Sequence, residues 1–270
     1  MKVLVIMGSP HKGNTYAAAK KIEEAMQRRA AVEFEYLMLA EAHLSPCRGC
    51  FICFLKGEGV CPLDDDADAI REKLGNADGV IFASPVFGMN VTGLMKTFID
   101  RFSYVFHRPR YFSKKALMLS TTGALGQKDV LKYMEMVARI WGFEVAASVG
   151  LVTPRMGAER WFTPGQEDEL DRAAELFVRA LERKTRRSPG LMDVIIFHGQ
   201  RGSFDILSEE APLDHEYWKE HGWLEPGMKY FVDVPVNPLY HAIGCLAERV
   251  TRRKIKKDKM KGWYKSTYSP

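Results

Sequence analysis

No stretch of eighteen or more uncharged apolar residues occurs in this sequence, so it holds no segment able to cross a bilayer as a helix. Its opening, MKVLVIMGSP, offers one lysine and only five apolar residues before Gly8. That is too short for the core of a signal peptide and reads as a buried strand. The expected compartment is therefore the cytoplasm, where structural disulfides are rare. Internal repeats, low-complexity segments and tandem β-hairpin signals are all missing. Hydrophobic residues at 46% and charged residues at 27% exclude wholesale disorder and a collagen-like fibre. At 270 residues the chain is long for one domain and short for two, taking about 150 residues per domain as a guide.

What the sequence does contain is unevenly placed. Its net charge of +5 comes from one run, Arg249, Arg252, Arg253, Lys254, Lys256, Lys257, Lys259 and Lys261, opposed only by Asp258. Without that run the chain is slightly acidic, so the charge describes a tail and not the body. Four of the five cysteines fall between Cys47 and Cys61, which makes that segment the first place to look for chemistry.

Apolar runs alternate with helical stretches. Residues 2–7, 32–39, 79–83, 116–121 and 144–152 read as strands, and 15–30, 65–74, 91–102, 129–141 and 167–183 as helices. Such alternation implies an α/β fold with a parallel sheet covered on both faces. Right-handed crossovers leave few topologies, of which the doubly wound, flavodoxin-like order 2-1-3-4-5 is the simplest. The breaker cluster Ser188-Pro189-Gly190 divides a main domain, 1–187, from a mainly helical extension, 188–270. In the extension, 192–197 is a short apolar run, 215–221 a helical turn, and 239–250 a helix with Leu239, Ile243, Leu246 and Val250 on one face. With few long apolar elements it is expected to pack on the main domain or on a neighbouring subunit. Trp218, Trp223, Tyr230 and Phe231 either pack there or cap a neighbour's pocket.

The link from the first strand to the first helix is Gly8-Ser9-Pro10-His11-Lys12-Gly13-Asn14-Thr15. Small and hydroxyl residues at a helix N-terminus let backbone N–H groups approach an anion. Neither GxGxxG nor GxxxxGK[ST] is present, which favours a single phosphomonoester over a dinucleotide or a triphosphate. The plain alternative is a strand-to-helix turn with Asn14 or Thr15 as N-cap. Two further loops, Ser84-Pro85-Val86-Phe87-Gly88-Met89-Asn90 and Thr121-Thr122-Gly123-Ala124, leave the same carboxyl edge and meet beside the switch point. Pro85, Phe87 and Met89 suit a flat heteroaromatic ring. A phosphate joined to a planar ring system describes flavin mononucleotide.

Gly8-Ser9-Pro10 with Gly13-Asn14-Thr15, the segment 83–88 (ASPVFG) and Lys96-Thr97-Phe98-Ile99-Asp100-Arg101 together resemble the flavodoxin-like NADPH-dependent FMN reductase family over residues 1–185. The resemblance implies that Ser9, Lys12, Gly13, Asn14 and Thr15 hold the FMN phosphate, with His11 a loop residue beside it. It also implies that Pro85, Val86, Phe87, Gly88, Met89, Asn90, Thr121, Thr122 and Gly123 border the isoalloxazine and ribityl chain. Phe98 and Phe102 are expected in the core.

Cys47-x2-Cys50-x2-Cys53-x7-Cys61, followed by Pro62, lies between the second strand and the second helix. Compact cysteine runs ending in Cys-Pro hold iron–sulfur clusters. A structural zinc site more often shows two separated CxxC pairs, and a stable disulfide suits the cytoplasm poorly. Zinc, plain thiols and a switchable pair stay open as alternatives. The segment resembles the compact cysteine motif of iron–sulfur flavoproteins, a branch of the same family, which implies one [4Fe–4S] cluster. Cys245 stands apart on a helix and reads as a small buried hydrophobe.

The expectation is an FMN-dependent NAD(P)H oxidoreductase in which the flavin carries the bond chemistry and no side chain serves as acid or base. A nicotinamide or reduced protein would donate electrons, an unidentified molecule or protein would accept them, and the resemblance implies a homo-oligomer, dimer or tetramer. No nucleic acid and no membrane insertion are expected. The competing readings are a flavodoxin-type electron carrier without turnover of its own and a binder that uses the basic tail.

Overall fold

Five apolar runs form strands β1 (Lys2–Met7), β2 (Glu33–Met38), β3 (Gly79–Pro85), β4 (Lys115–Thr122) and β5 (Glu144–Val152). They pair in parallel in the order β2-β1-β3-β4-β5, as expected for a doubly wound sheet. The computed structural model describes residues 1–153 and 162–262. Among these the helices are α1 (Asn14–Gln27), α2 (Ile52–Leu55), α3 (Ala67–Asn76), α4 (Gly93–Arg101), α5 (Gln127–Trp141), α6 (Pro164–Glu182), α7 (Leu191–Ile206), α8 (Pro212–Glu220) and α9 (Pro238–Met260). The chain divides into two compact units that are discontinuous in sequence. The first comprises Met1–Cys47, Leu63–Ser103 and Ser113–Thr185, and the second Arg48–Pro62, Tyr104–Phe112 and Arg186–Pro270.

The first unit is the sheet and its covering helices. The central strands are buried along nearly their whole length because helices lie on both faces, so they show no polar alternation. On one face Val5, Ile81 and Leu117 pack with Ala18, Ile22 and Met26 of α1 and Ala174 and Phe177 of α6. Elsewhere Phe82, Phe98, Phe102, Trp141 and Phe143 form an aromatic cluster, with ring centroids 5.6 Å apart for Phe82–Phe143 and 5.7 Å for Phe98–Trp141. Each such side chain contributes about 1.5–3 kcal/mol by its burial. Phe98 and Phe102 are thus core residues, as expected.

The second unit has an aromatic core of its own, which the sparse apolar runs did not suggest. Phe197, Phe204, Trp218, Trp223, Tyr230 and Phe231 are buried together. The Trp218 indole donates to the His107 carbonyl at 2.7 Å and that of Trp223 to the Phe231 carbonyl at 2.8 Å, so neither polar edge is stranded. Trp218, Trp223, Tyr230 and Phe231 are therefore packing residues, not caps for a neighbour's pocket. The short run 192–197 belongs to the sixteen-residue α7, and α9 extends through the basic run to Met260. The face of α9 that packs is not the expected one. Gly244, Glu248, Ile255 and Asp258 are buried, whereas Leu239, Leu246 and Val250 are exposed. Within the basic run Arg252 pairs with Glu248 and Asp205, and Lys259 reaches Glu210 at 2.6 Å. Among the described residues no helix is long and apolar enough to cross a membrane.

Candidate functional site

At the carboxyl edge of the first unit's sheet, the β1–α1 loop turns under tight constraint. A Cβ on Gly8 would stand 3.0 Å from Met95 Cβ and 3.1 Å from Thr92 Oγ1, so a side chain there would have to push its neighbours aside. The Thr92 hydroxyl donates to the Gly8 carbonyl at 2.7 Å and accepts from the Met95 N–H at 3.1 Å, capping α4 while it pins the loop. Ser84 Oγ in turn accepts from the Thr92 N–H at 3.2 Å. The buried Ser9 hydroxyl donates to the His11 carbonyl at 2.7 Å. Gly13, not Asn14 or Thr15, occupies the N-cap of α1, and no side chain caps that helix. Asn14 Nδ2 instead donates to Thr153 Oγ1 at 2.7 Å, and Thr15 Oγ1 meets Thr121 Oγ1 at 2.7 Å. The helix N-terminus therefore keeps its anion-binding character beside the exposed His11 and Lys12.

Thr121, which opens the loop after β4, also ties in the loop after β3. Val86 N–H donates to the Thr121 carbonyl at 2.9 Å, and Thr153 N–H to that of Thr122 at 2.8 Å. Beyond Val86 the chain doubles back in a two-residue turn closed by reciprocal Phe87–Asn90 hydrogen bonds of 2.9 and 3.0 Å. Gly88 and Met89 hold positive φ there, 55° and 67°. The turn presents Phe87 and Met89, 49% and 57% exposed, and the loop after β4 adds Leu125 at 70%. Gly126, at φ +93°, lies so near Val86 that a Cβ on it would be 2.9 Å from Val86 Cγ1. Three loops expected to converge do so, with hydroxyl and amide groups at one end and exposed apolar side chains at the other. This donor set suits a phosphate and an aromatic ring, so FMN fits the residues present. Ser84, in the second quoted loop, and Thr92 are positioning residues; motif reading passed over Thr92, although it precedes α4 as an N-cap should, and that was the available signal.

Each unit braces its own part of the cysteine segment. In the first unit, buried Arg101 and Asp65 form a paired salt bridge, Nη2 to Oδ1 at 3.0 Å, and Arg101 Nη1 also donates to the Ser45 carbonyl at 2.9 Å. Burial opposes the charge on Asp65. Hydrogen bonds from Arg101 and from the N–H groups of Ser45 and Ala67 prevail, holding its carboxyl below the usual range. Asp65 thus precedes α3 as an anchor for the approach to Cys47 and is not a residue of the helix's first turn. In the second unit, Arg108 Nη2 donates to the Cys53 carbonyl at 2.7 Å and to Glu58 at 3.1 Å, while Nη1 reaches Asp214 at 2.5 Å. Arg110 adds a 2.7 Å bond to Glu58. Burial raises the Glu58 carboxyl, but Arg110 and Arg108 outweigh it and hold it low. Gly49, Phe51 and Gly57 take left-handed conformations around the short α2, which carries Cys53. Cys47 and Cys50 are exposed, Cys53 and Cys61 half-buried, and none of the five cysteines is in a disulfide. An all-thiol donor set of this kind suits an iron–sulfur cluster. Cys245 is half-buried beside His241, and so is not the enclosed hydrophobe expected.

Comparison with known proteins agrees with this layout. A sequence model of the NADPH-dependent FMN reductase family matches residues 1–153. An iron–sulfur flavoprotein of Archaeoglobus fulgidus is 31% identical over 237 residues, covering 83% of this chain and all of that relative. Another from Clostridioides difficile is 29% identical over 232 residues, covering 84% of this chain and all of its own. Among solved structures, a flavone reductase superimposes with a TM-score of 0.51 at 19% identity, covering 69% of this chain and 66% of that one, a likeness of fold. The matched segment contains every loop described above, and the relatives extend through the cysteine run: the chain belongs to the NADPH-dependent FMN reductase family, in its iron–sulfur flavoprotein branch.

Proposed function

We propose that this chain is an NAD(P)H-dependent flavin oxidoreductase with FMN at the carboxyl rim of the sheet and a [4Fe–4S] cluster on Cys47, Cys50, Cys53 and Cys61. Ser9, Lys12, Gly13, Asn14 and Thr15 would hold the phosphate beside His11, and Pro85–Asn90 with Thr121, Thr122 and Gly123 would border the ring and ribityl chain. Bound FMN supplies two-electron acceptance from a nicotinamide and one-electron release, and the cluster a one-electron outlet. The observation that carries the reading is the convergence of three loops on Thr121, through Thr15 Oγ1 and Val86 N–H. The protein's own part is to place an uncapped helix end and a positive side chain at the phosphate. Its rigid turn sets Phe87 and Met89 as apolar surface for the ring.

Anaerobically purified protein is expected to carry one FMN and a brown iron–sulfide chromophore, and to oxidise NADH or NADPH in steady state with a quinone or free flavin. Replacing Cys50 by Ser should remove iron and leave FMN. A colourless protein that takes up no FMN ends the enzyme reading. Equal iron in the Cys50→Ser protein rejects the ligand set.

A further inference from the structure

In the second unit, two helices bring together three metal-binding side chains remote in sequence from the Cys47–Cys61 run. His198 of α7 is fully buried, and its Nε2 lies 3.2 Å from Nδ1 of the half-buried His241 on α9. One helical turn beyond His241 is Cys245, whose sulfur lies 3.9 Å from His241 Nδ1 and 3.7 Å from its Nε2. The i, i+4 spacing places both on one helix face. One ligand atom from each of the three residues falls within 4.8 Å of the others, the only such group of His, Cys, Asp or Glu among the described residues.

The helices approach closely enough to fix this arrangement. A Cβ on Gly244 would stand 2.3 Å from His198 Cδ2, and one on Gly202 would stand 3.1 Å from Glu248 Cγ. On the far side of the His198 ring, Nδ1 lies 2.8 Å from Glu248 Oε2. The carboxylate offers acceptor oxygens only, so Nδ1–H donates a hydrogen bond to it and the Nε2 lone pair is left directed at His241. A carboxylate behind the ring is the support that metal-ligating histidines use to fix their tautomer. Arg201 and Arg252 are both committed to Glu248, and Arg201 is further held by the carbonyls of Trp223, Leu224 and Glu225.

The distances have the scale of a tetrahedral site. Zinc binds imidazole nitrogen at about 2.0–2.1 Å and thiolate at about 2.3 Å, so tetrahedral angles put the nitrogens about 3.3 Å apart and nitrogen and sulfur about 3.6 Å apart. Two of the three separations, 3.2 Å and 3.9 Å, need only a few tenths of an ångström of adjustment, and the third, from His198 to Cys245, lies within 4.8 Å. We propose that His198 Nε2, His241 Nδ1 and Cys245 Sγ form a mononuclear site for zinc or a similar borderline-soft divalent ion, with Glu248 as positioning residue. The fourth corner is left to water. Uptake of the ion releases the Cys245 thiol proton to solvent and moves the His241 proton to Nε2. Two imidazoles and one thiolate select such an ion over magnesium or calcium, which take oxygen ligands.

The test uses the full chain, purified anaerobically, stripped of loosely held metal and titrated with zinc alone. One zinc per chain is expected in addition to any iron, with an X-ray absorption spectrum that reports one sulfur and two imidazole nitrogens around it. Cys245→Ser should weaken zinc binding about 100-fold and remove the sulfur, and Glu248→Gln should weaken it about 10–100-fold. FMN and iron contents, unchanged in the variants, serve as the folding check and keep this result separate from that of the flavin reading. No zinc bound, affinity unaffected by Cys245→Ser, or a shell of several sulfurs from the Cys47–Cys61 run overturns the proposal. Should Cys245→Ser not fold, the sulfur count in the wild-type spectrum decides alone: one upholds the site, and none or several reject it.

Discussion

At the scale of single residues, the sharpest test of the first unit is the Arg101–Asp65 pair. Both side chains are almost wholly enclosed, 2% and 3% exposed, so each charge depends on the other for what water would have provided. Asp65→Asn removes the charge that balances Arg101 while keeping nearly the same shape. Removing one partner of a buried pair costs about 3–5 kcal/mol, which should appear as a lower urea midpoint at neutral pH. The pH dependence follows from the depressed Asp65 carboxyl. Its contribution is present in full above the unfolded carboxylate pKa of about 3.9. It fades as pH falls from there through the folded-state value. The gap between wild type and Asp65→Asn should therefore be constant near neutrality and narrow below about pH 4. A gap that widens on acidification would contradict the assignment. No sequence pattern marked this pair, because an arginine in a helical motif and an aspartate ahead of another helix carry no sign of facing each other.

At the scale of elements, the proposed flavin rim depends on the turn after β3 and the loop after β4 keeping their spacing. Gly126 is the point of closest approach, and it also holds a left-handed conformation. Gly126→Ala meets two penalties: about 1–2 kcal/mol for a side chain at positive φ, and a displacement of Val86 to clear its Cγ1. The variant should melt several degrees lower and bind FMN at least tenfold more weakly, read by equilibrium dialysis. Unchanged affinity would place the ring elsewhere. The elements of this rim were legible because β1, β3 and β4 are continuous apolar runs ended by glycine, proline or threonine, a pattern that a central parallel strand needs. α7 was not legible. Gly199, Gln200, Arg201, Gly202 and Ser203 interrupt its apolar face, and His198 occupies a core position. α9 misled for a related reason. Its apolar residues at 239, 246 and 250 marked a stripe, yet α7 packs on Gly244 and Glu248, since a glycine permits close approach and a buried carboxylate is satisfied by His198, Arg201 and Arg252. Apolar periodicity reports which face is able to be buried, not which face finds a partner.

At the scale of the whole molecule, the proposed cofactor residues divide unequally between the units. Every residue assigned to FMN lies in the first, whereas Cys50, Cys53 and Cys61 lie in the second, with the aromatic core around Trp218. Sequence alone placed the cysteine loop with the sheet because it follows β2, and a grouping of 48–62 with residues beyond 186 is a long-range outcome that local pattern does not encode. Trp218 joins these segments physically: its indole donates to the His107 carbonyl, the neighbouring Arg108 donates to the Cys53 carbonyl, and Arg108 and His107 share Asp214 four residues before Trp218. Trp218→Ala empties the centre of that core at a cost of about 3–5 kcal/mol and loosens the support of three thiols. The expected result is a several-fold fall in iron per chain with FMN retained near one equivalent, measured on protein purified without oxygen. NAD(P)H oxidation by free flavin should persist in that protein, while any acceptor served by the iron centre loses its rate. Iron and FMN lost in parallel would mean that the Trp218 core does not support the thiols independently of the flavin residues, and that assignment would fall.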